Sequence, residues 1–159
     1  MHTKSRVREW TAFLLLVSYL VVIVLVTLSP TPIDQGYRSG INKVLDVLHR
    51  NGIPEWFGYG KLEFSANIAM FIPLGFLIAL ALPARLWWVA LLVVPSLSAA
   101  IEIAQGAFLA ARFSSAADVA ANSIGGFIGI MIAFALRALV YSRDQKVISE
   151  ALRARGVST

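Results

Sequence analysis

The chain has no cysteine. Disulfides, thiol nucleophiles and thiolate metal sites are excluded, and the redox compartment is left open. Only two histidines are present, His2 and His49. Both fall outside the apolar runs, so neither a histidine triad nor a His-based metal site is expected. Charge is scarce too. Only 14% of the residues are charged, against roughly 25% in a soluble domain. At 159 residues the chain is one domain at most. Its 58% hydrophobic content is more than a soluble chain of this size can hide, because its surface is large for its volume. An integral membrane protein is the economical reading. The net charge of +5 does not point to nucleic acid. The Lys and Arg residues gather at the chain ends and form no aromatic-interleaved face.

What is present is a set of long apolar runs. Residues 1–9 are a short basic N-terminus. Residues 10–28 carry no charge and are long enough to cross a hydrocarbon core of roughly 30 Å. The run exceeds a signal-peptide core, and LSPTP at 28–32 is a poor cleavage site. It therefore reads as a retained first helix ended by Pro30 and Pro32, which cannot continue it. Further runs cover 64–82, 86–109 and 116–140, and a basic tail covers 141–159. The expected fold class is all-α: an integral membrane four-helix bundle over residues 10–140, with a short amphipathic helix in the first extracytoplasmic loop.

That helix is signalled by Ile41, Val44, Leu45 and Leu48 at helical spacing, with Lys43, Asp46 and Arg50 between them. It either lies in the interface plane or caps the bundle. Trp56, Phe57 and Tyr59 follow as a cluster suited to headgroup level, and Trp87 with Trp88 anchors the third run in the same way. Pro73 and Gly75 interrupt the second run and Pro95 the third. A kink is expected where neighbouring helices satisfy the freed carbonyls. Gly125, Gly126 and Gly129 include a GxxxG spacing that permits close helix packing. The tail from Ser142 is charged and helix-forming, either solvated or lying on the surface.

Four spans put both ends of the chain on one side. That side collects Lys4, Arg6, Arg8, Arg85, Arg137, Arg143, Lys146, Arg153 and Arg155, nine basic residues. The other collects five, Arg38, Lys43, Arg50, Lys61 and Arg112, beside Asp34, Asp46, Glu55 and Glu63. The positive-inside rule then places both termini in the cytoplasm.

Polar residues break the apolar runs at one depth. At 1.5 Å per residue, Asn67 lies about 6 Å inside the second run, Glu102 and Gln105 about 10 and 6 Å from the end of the third, and Asp118 and Asn122 about 3 to 9 Å into the fourth. All five fall in the outer half of the membrane, and Arg112 in the intervening loop is the nearest cation. Glu102 with Gln105 and Asp118 with Asn122 each share a helix face. A carboxylate at this depth is costly unless paired, protonated or wetted. Asn67, Glu102, Gln105, Arg112, Asp118 and Asn122 are therefore the candidate ligand-binding residues. Such a pocket suits a polar headgroup, a proton, or a divalent cation such as Mg²⁺ or Ca²⁺ held by carboxylate and amide oxygens. Glu102 and Asp118 are also the candidate general acid and base, and no activated nucleophile accompanies them. The bland alternative is interhelical hydrogen-bond glue with no ligand at all. Ser96, Ser98, Ser114 and Ser115 are expected to bond backbone locally. Four helices leave little room for alternating access, which argues against transport.

Three motifs in order, NIAMFIPLGF at 67–76, EIAQ at 102–105 and RFSSAADVAANSIGGFIG at 112–129, resemble the VanZ-like family. Its pattern is an Asn leading to F-x-P-x-G, then E-x-x-Q, then an Arg with D-x-x-x-N-x-x-G. Asn67, Phe71, Pro73 and Gly75 match the first part, Glu102 and Gln105 the second, and Arg112, Asp118, Asn122 and Gly125 the third. Leu28-Ser29-Pro30 is also similar to the family, and the resemblance covers roughly residues 20–140. It implies a small multi-pass protein of the bacterial cell membrane. The founding member is associated with low-level resistance to teicoplanin, a lipid-anchored glycopeptide acting outside the membrane. The partners implied are membrane lipids and a lipid-linked envelope molecule or lipoglycopeptide. Two other readings stand beside ligand binding: an enzyme modifying a lipid-linked envelope substrate by carboxylate chemistry, and a structural partner that assembles through the glycine face.

Overall fold

A computed structural model describes residues 3–28, 38–108 and 115–154. They form five α-helices and no strand: α1 Thr3–Thr27, α2 Arg38–Arg50, α3 Tyr59–Ala81, α4 Trp87–Phe108 and α5 Ala116–Ala154, with a 3-10 turn at Ala84–Leu86 between α3 and α4. Four of them, α1, α3, α4 and α5, are long and apolar enough to cross a membrane.

α3 is the centre of the bundle, with α5 and α1 packed against it, while α4 packs mainly on α5. The closest approach is α3 to α5, and glycine makes it possible. A Cβ on Gly75 would run into the carbonyl oxygen of Gly126, one on Gly125 into that of Ile68, and one on Gly129 into that of Ile72. Backbone thus meets backbone along the whole α3–α5 seam. Gly126 itself faces the Val94 side chain of α4. Gly125, Gly126 and Gly129 are buried, so their face is closed within the chain and presents no surface to a partner.

Phe71 and Leu74 of α3, Ala90 and Val94 of α4, Ile130 and Ala133 of α5 and Ile23 of α1 fill the interior. Leu14, Val21 and Leu25 of α1, Ile103 of α4, and Phe127 and Met131 of α5 point outward. Large apolar side chains on the outside of a bundle are costly in water and neutral in lipid, so this exterior is a bilayer exterior.

Two prolines sit inside continuous helices, Pro73 in α3 and Pro95 in α4. Pro73 cannot bond the carbonyl of Ala69. At the next carbonyl along, Met70, the hydroxyl of Tyr19 from α1 donates a hydrogen bond at 2.7 Å. At the end of α3, Arg137 of α5 donates from Nη2 to the carbonyls of Leu80 and Leu82, at 3.2 and 2.7 Å. A cation there both caps open carbonyls and complements the negative end of the helix dipole.

α2 makes no extensive contact with the bundle, which favours an interface-lying helix over a packed cap. It ends in a Schellman turn. Gly52 adopts φ +93°, the Ile53 N–H bonds the Leu48 carbonyl at 3.0 Å, and the Gly52 N–H bonds that of His49 at 3.1 Å. Only glycine takes that φ without strain. After the turn, Lys61 Nζ sits 3.5 Å over the Trp56 ring. The charged tail does not break from the fourth span. One unbroken helix runs from Ala116 to Ala154, so the tail extends the span axis and does not turn along the surface.

Candidate functional site

The polar residues of the apolar runs come from the first half of α3, the second half of α4 and the start of α5. Because α3 and α5 run against α4, these segments lie at one end of the bundle. Asn67 of α3 donates from Nδ2 to Asp118 Oδ1 of α5 at 2.9 Å. Asn122, one turn further along α5, donates from Nδ2 to Ser98 Oγ of α4 at 2.9 Å. Gln105 of α4 donates from Nε2 to the Thr27 carbonyl at the end of α1, at 2.8 Å. Four helices are therefore joined at this end by three amide side chains.

Glu102 is only 5% exposed, and its position explains how the carboxylate is tolerated. Its Oε2 accepts the Ser115 N–H at 2.9 Å. Ser115 is the residue from which α5 starts: its carbonyl accepts the N–H groups of Asp118 and Val119, and its hydroxyl accepts that of Ala117 at 3.2 Å. Glu102 thus lies against the positive end of a 39-residue helix, where open N–H groups and the dipole favour negative charge. Asp118, in the first turn of α5, gains from the same field.

Ser98 is a correction to the sequence reading. It bonds the Asn122 side chain, not local backbone. The signal was available, since Ser98 lies one turn before Glu102 and two before Gln105, on the same face of α4. Ser115 does bond locally, as a helix start, and its backbone N–H has the further role at Glu102. Thr27 was missed because its contribution is a backbone carbonyl, which has no sequence signature. Arg112 falls outside the described residues.

One buried polar atom stands out. Asn122 is 3% exposed, and its Oδ1 has no hydrogen-bond partner among the described residues. An unmade bond at such an atom costs about 1–3 kcal/mol, and a buried water is the donor that would satisfy it. No trio of His, Asp or Glu side chains among the described residues forms a metal-holding group. A divalent cation here would need amide and backbone oxygens beyond the two carboxylates. The large groove of the molecule, about 970 Å³, lies elsewhere, lined by Trp10, Leu82 and Arg137 among others and by none of the five polar residues.

Four apolar spans around a centre that is polar at one end define a multi-pass membrane protein whose helices are tied by buried and half-buried amides and carboxylates. The VanZ/LLP1 family model matches residues 13–137, which runs from within the first span to Arg137 of the fourth, and the chain belongs to that family. No curated protein and no solved structure matches the chain.

Proposed function

We propose that the chain is a bacterial cell-membrane protein whose polar end faces outward and binds a lipid-linked molecule of the cell envelope or a lipoglycopeptide. Both termini are then cytoplasmic. The observation that carries this reading is the gathering of Glu102 and Asp118 at the positive start of α5, ringed by Asn67, Gln105 and Asn122. Ionisable residues inside a membrane domain are costly and mark functional sites by default. Envelope precursors and glycopeptides are rich in amide, hydroxyl and ammonium donors, which carboxylates accept. The orientation rests on the excess of basic residues at the opposite end, and the envelope molecule on the family's association with teicoplanin.

The test is teicoplanin sensitivity in a Gram-positive host expressing wild type, Glu102→Gln and Asp118→Asn at matched membrane levels, with vancomycin alongside because it lacks the lipid anchor. Protection against teicoplanin by wild type alone is the expected result. Equal protection by all three overturns the role of the carboxylates.

A second reading has its own observation. Each amide at this end donates to a neighbouring helix, as interhelical glue would. On that reading, Glu102→Gln and Asp118→Asn lower the stability of the purified protein and change no ligand-dependent readout.

A further inference from the structure

At the end away from the polar cluster, α3 stops at Ala81 while α5 runs on to Ala154 and α1 begins at Thr3. Below the last turn of α3, its two neighbours are no longer separated by it, and a groove of about 970 Å³ opens there. Its walls are largely apolar, with Trp10 and Phe13 from α1, Leu80 and Leu82 from the end of α3, and Leu136 and Val140 from α5. The volume is at the upper end of the roughly 300–1,000 Å³ typical of small-molecule pockets. Trp10 and Tyr141, both on its lining, are aromatics of the kind that settle at headgroup level.

Among the described residues, two charged side chains line the groove, Arg137 and Asp144 of α5. Seven residues apart, they lie on one face of the helix, about 10 Å apart along its axis. Arg137 is the deeper, fixed at the height of the last turn of α3 by its bonds to the Leu80 and Leu82 carbonyls. Asp144 is two turns nearer the helix end. Inward of Arg137 the wall is apolar at Leu80 and Leu136, and outward along α5 come the cation, then Val140 with Tyr141, and then the anion.

The complement of that order is an apolar chain, then an anion, then a cation. Acyl chains, a phosphodiester and an ammonium follow one another in this order in an aminophospholipid. A phospholipid with an anionic headgroup and no amine suits Arg137 but brings like charge against Asp144. The exposed Arg85, Arg143 and Lys146 at this end draw anionic lipid generally, without the order that Arg137 and Asp144 impose.

We propose that this groove holds one aminophospholipid from the leaflet at this end, its phosphate at Arg137 and its ammonium at Asp144. The site is separate from the polar cluster and stands whatever that cluster binds.

The test uses the full chain reconstituted in an equal mixture of phosphatidylethanolamine and phosphatidylglycerol, extracted in mild detergent, with retained lipid read by native mass spectrometry. Wild type is expected to retain one lipid and to prefer phosphatidylethanolamine by about two- to fivefold, the ratio that one exposed ion pair supplies. Asp144→Lys reverses the preference toward phosphatidylglycerol, and Val140→Trp, which fills the groove, removes the retained lipid. Thermal unfolding of each variant separates loss of lipid from loss of fold. Asp144→Asn is the milder replacement if the lysine variant does not fold, and it is expected to abolish the preference. Equal retention of the two lipids by wild type, a preference that survives change at Asp144, or retention unaffected in folded Val140→Trp overturns the proposal.

Discussion

Asn67 and Asp118 meet across the α3–α5 seam, amide nitrogen to carboxylate oxygen at 2.9 Å, and two turns further along α5 a Cβ on Gly125 would meet the backbone of Ile68, the residue after Asn67. The polar pair and the glycine contact support each other. Helices held this close bring short side chains within reach, and the bond resists their sliding.

A double-mutant cycle on Asn67→Ala and Asp118→Ala is therefore expected to show favourable coupling of about 0.6 to 1.7 kcal/mol, the range found for hydrogen bonds between membrane helices. Detergent-induced unfolding of the four proteins measures it. Strictly additive losses would mean that the bond contributes nothing to the assembled bundle.

The glycine seam gives a sharper contrast. Gly75→Ala places a methyl group against the backbone of Gly126, whereas Gly60→Ala has nothing within 4 Å to meet. The first is expected to destabilise by about 1–3 kcal/mol or more, as overpacking does. The second, at the first turn of α3, is expected to be neutral or slightly stabilising. Equal thermal midpoints for the two variants would contradict the backbone contact.

Arg137→Lys keeps the charge but shortens the reach. Both bonds come from one nitrogen, Nη2, at the tip of the guanidinium, and the shorter, more strongly hydrated ammonium does not take its place. A loss of about 1.5–3 kcal/mol is expected, the value of hydrogen bonds to a charged group. Faster amide exchange at the last turn of α3 would locate it. Unchanged exchange there would remove Arg137 from its capping role.

The absence of cysteine makes topology directly measurable. Asn51→Cys, in the turn after α2, is expected to react with a membrane-impermeant maleimide in intact cells. Ser149→Cys, on the exposed tail, is expected to react only after permeabilisation. The reverse pattern would invert the orientation drawn from the basic residues.

The four spans were legible in the sequence because lipid imposes length and apolarity on every crossing helix. The depth of Asn67, Glu102, Gln105, Asp118 and Asn122 followed from the helical rise alone. The partners did not. Which amide meets which acceptor depends on helix rotation about its axis, and an apolar run with a hydrophobic exterior leaves that angle unmarked. Hence Ser98 reads as bonding local backbone although it bonds Asn122, and nothing in the sequence marks the start of α5 as the seat of Glu102. Gly125 and Gly129 were legible as a packing face, but that the face belongs to α3 is settled only by the close approach of Ile68 and Ile72. In the sequence Arg137 counts only toward the basic side of the membrane, because nothing there shows that α3 ends beside it.

α5 carries its helix well past the lipid without a break, and this gives the molecule a lever arm. Arg137, bonded to the end of α3, is the fulcrum, and Ala154 is on the order of 25 Å away at 1.5 Å per residue. A tilt of about 10° there swings the far tip by about 4 Å on that length. A small adjustment where α3 and α5 touch is thus displayed, enlarged, to whatever lies beyond the basic end of the membrane.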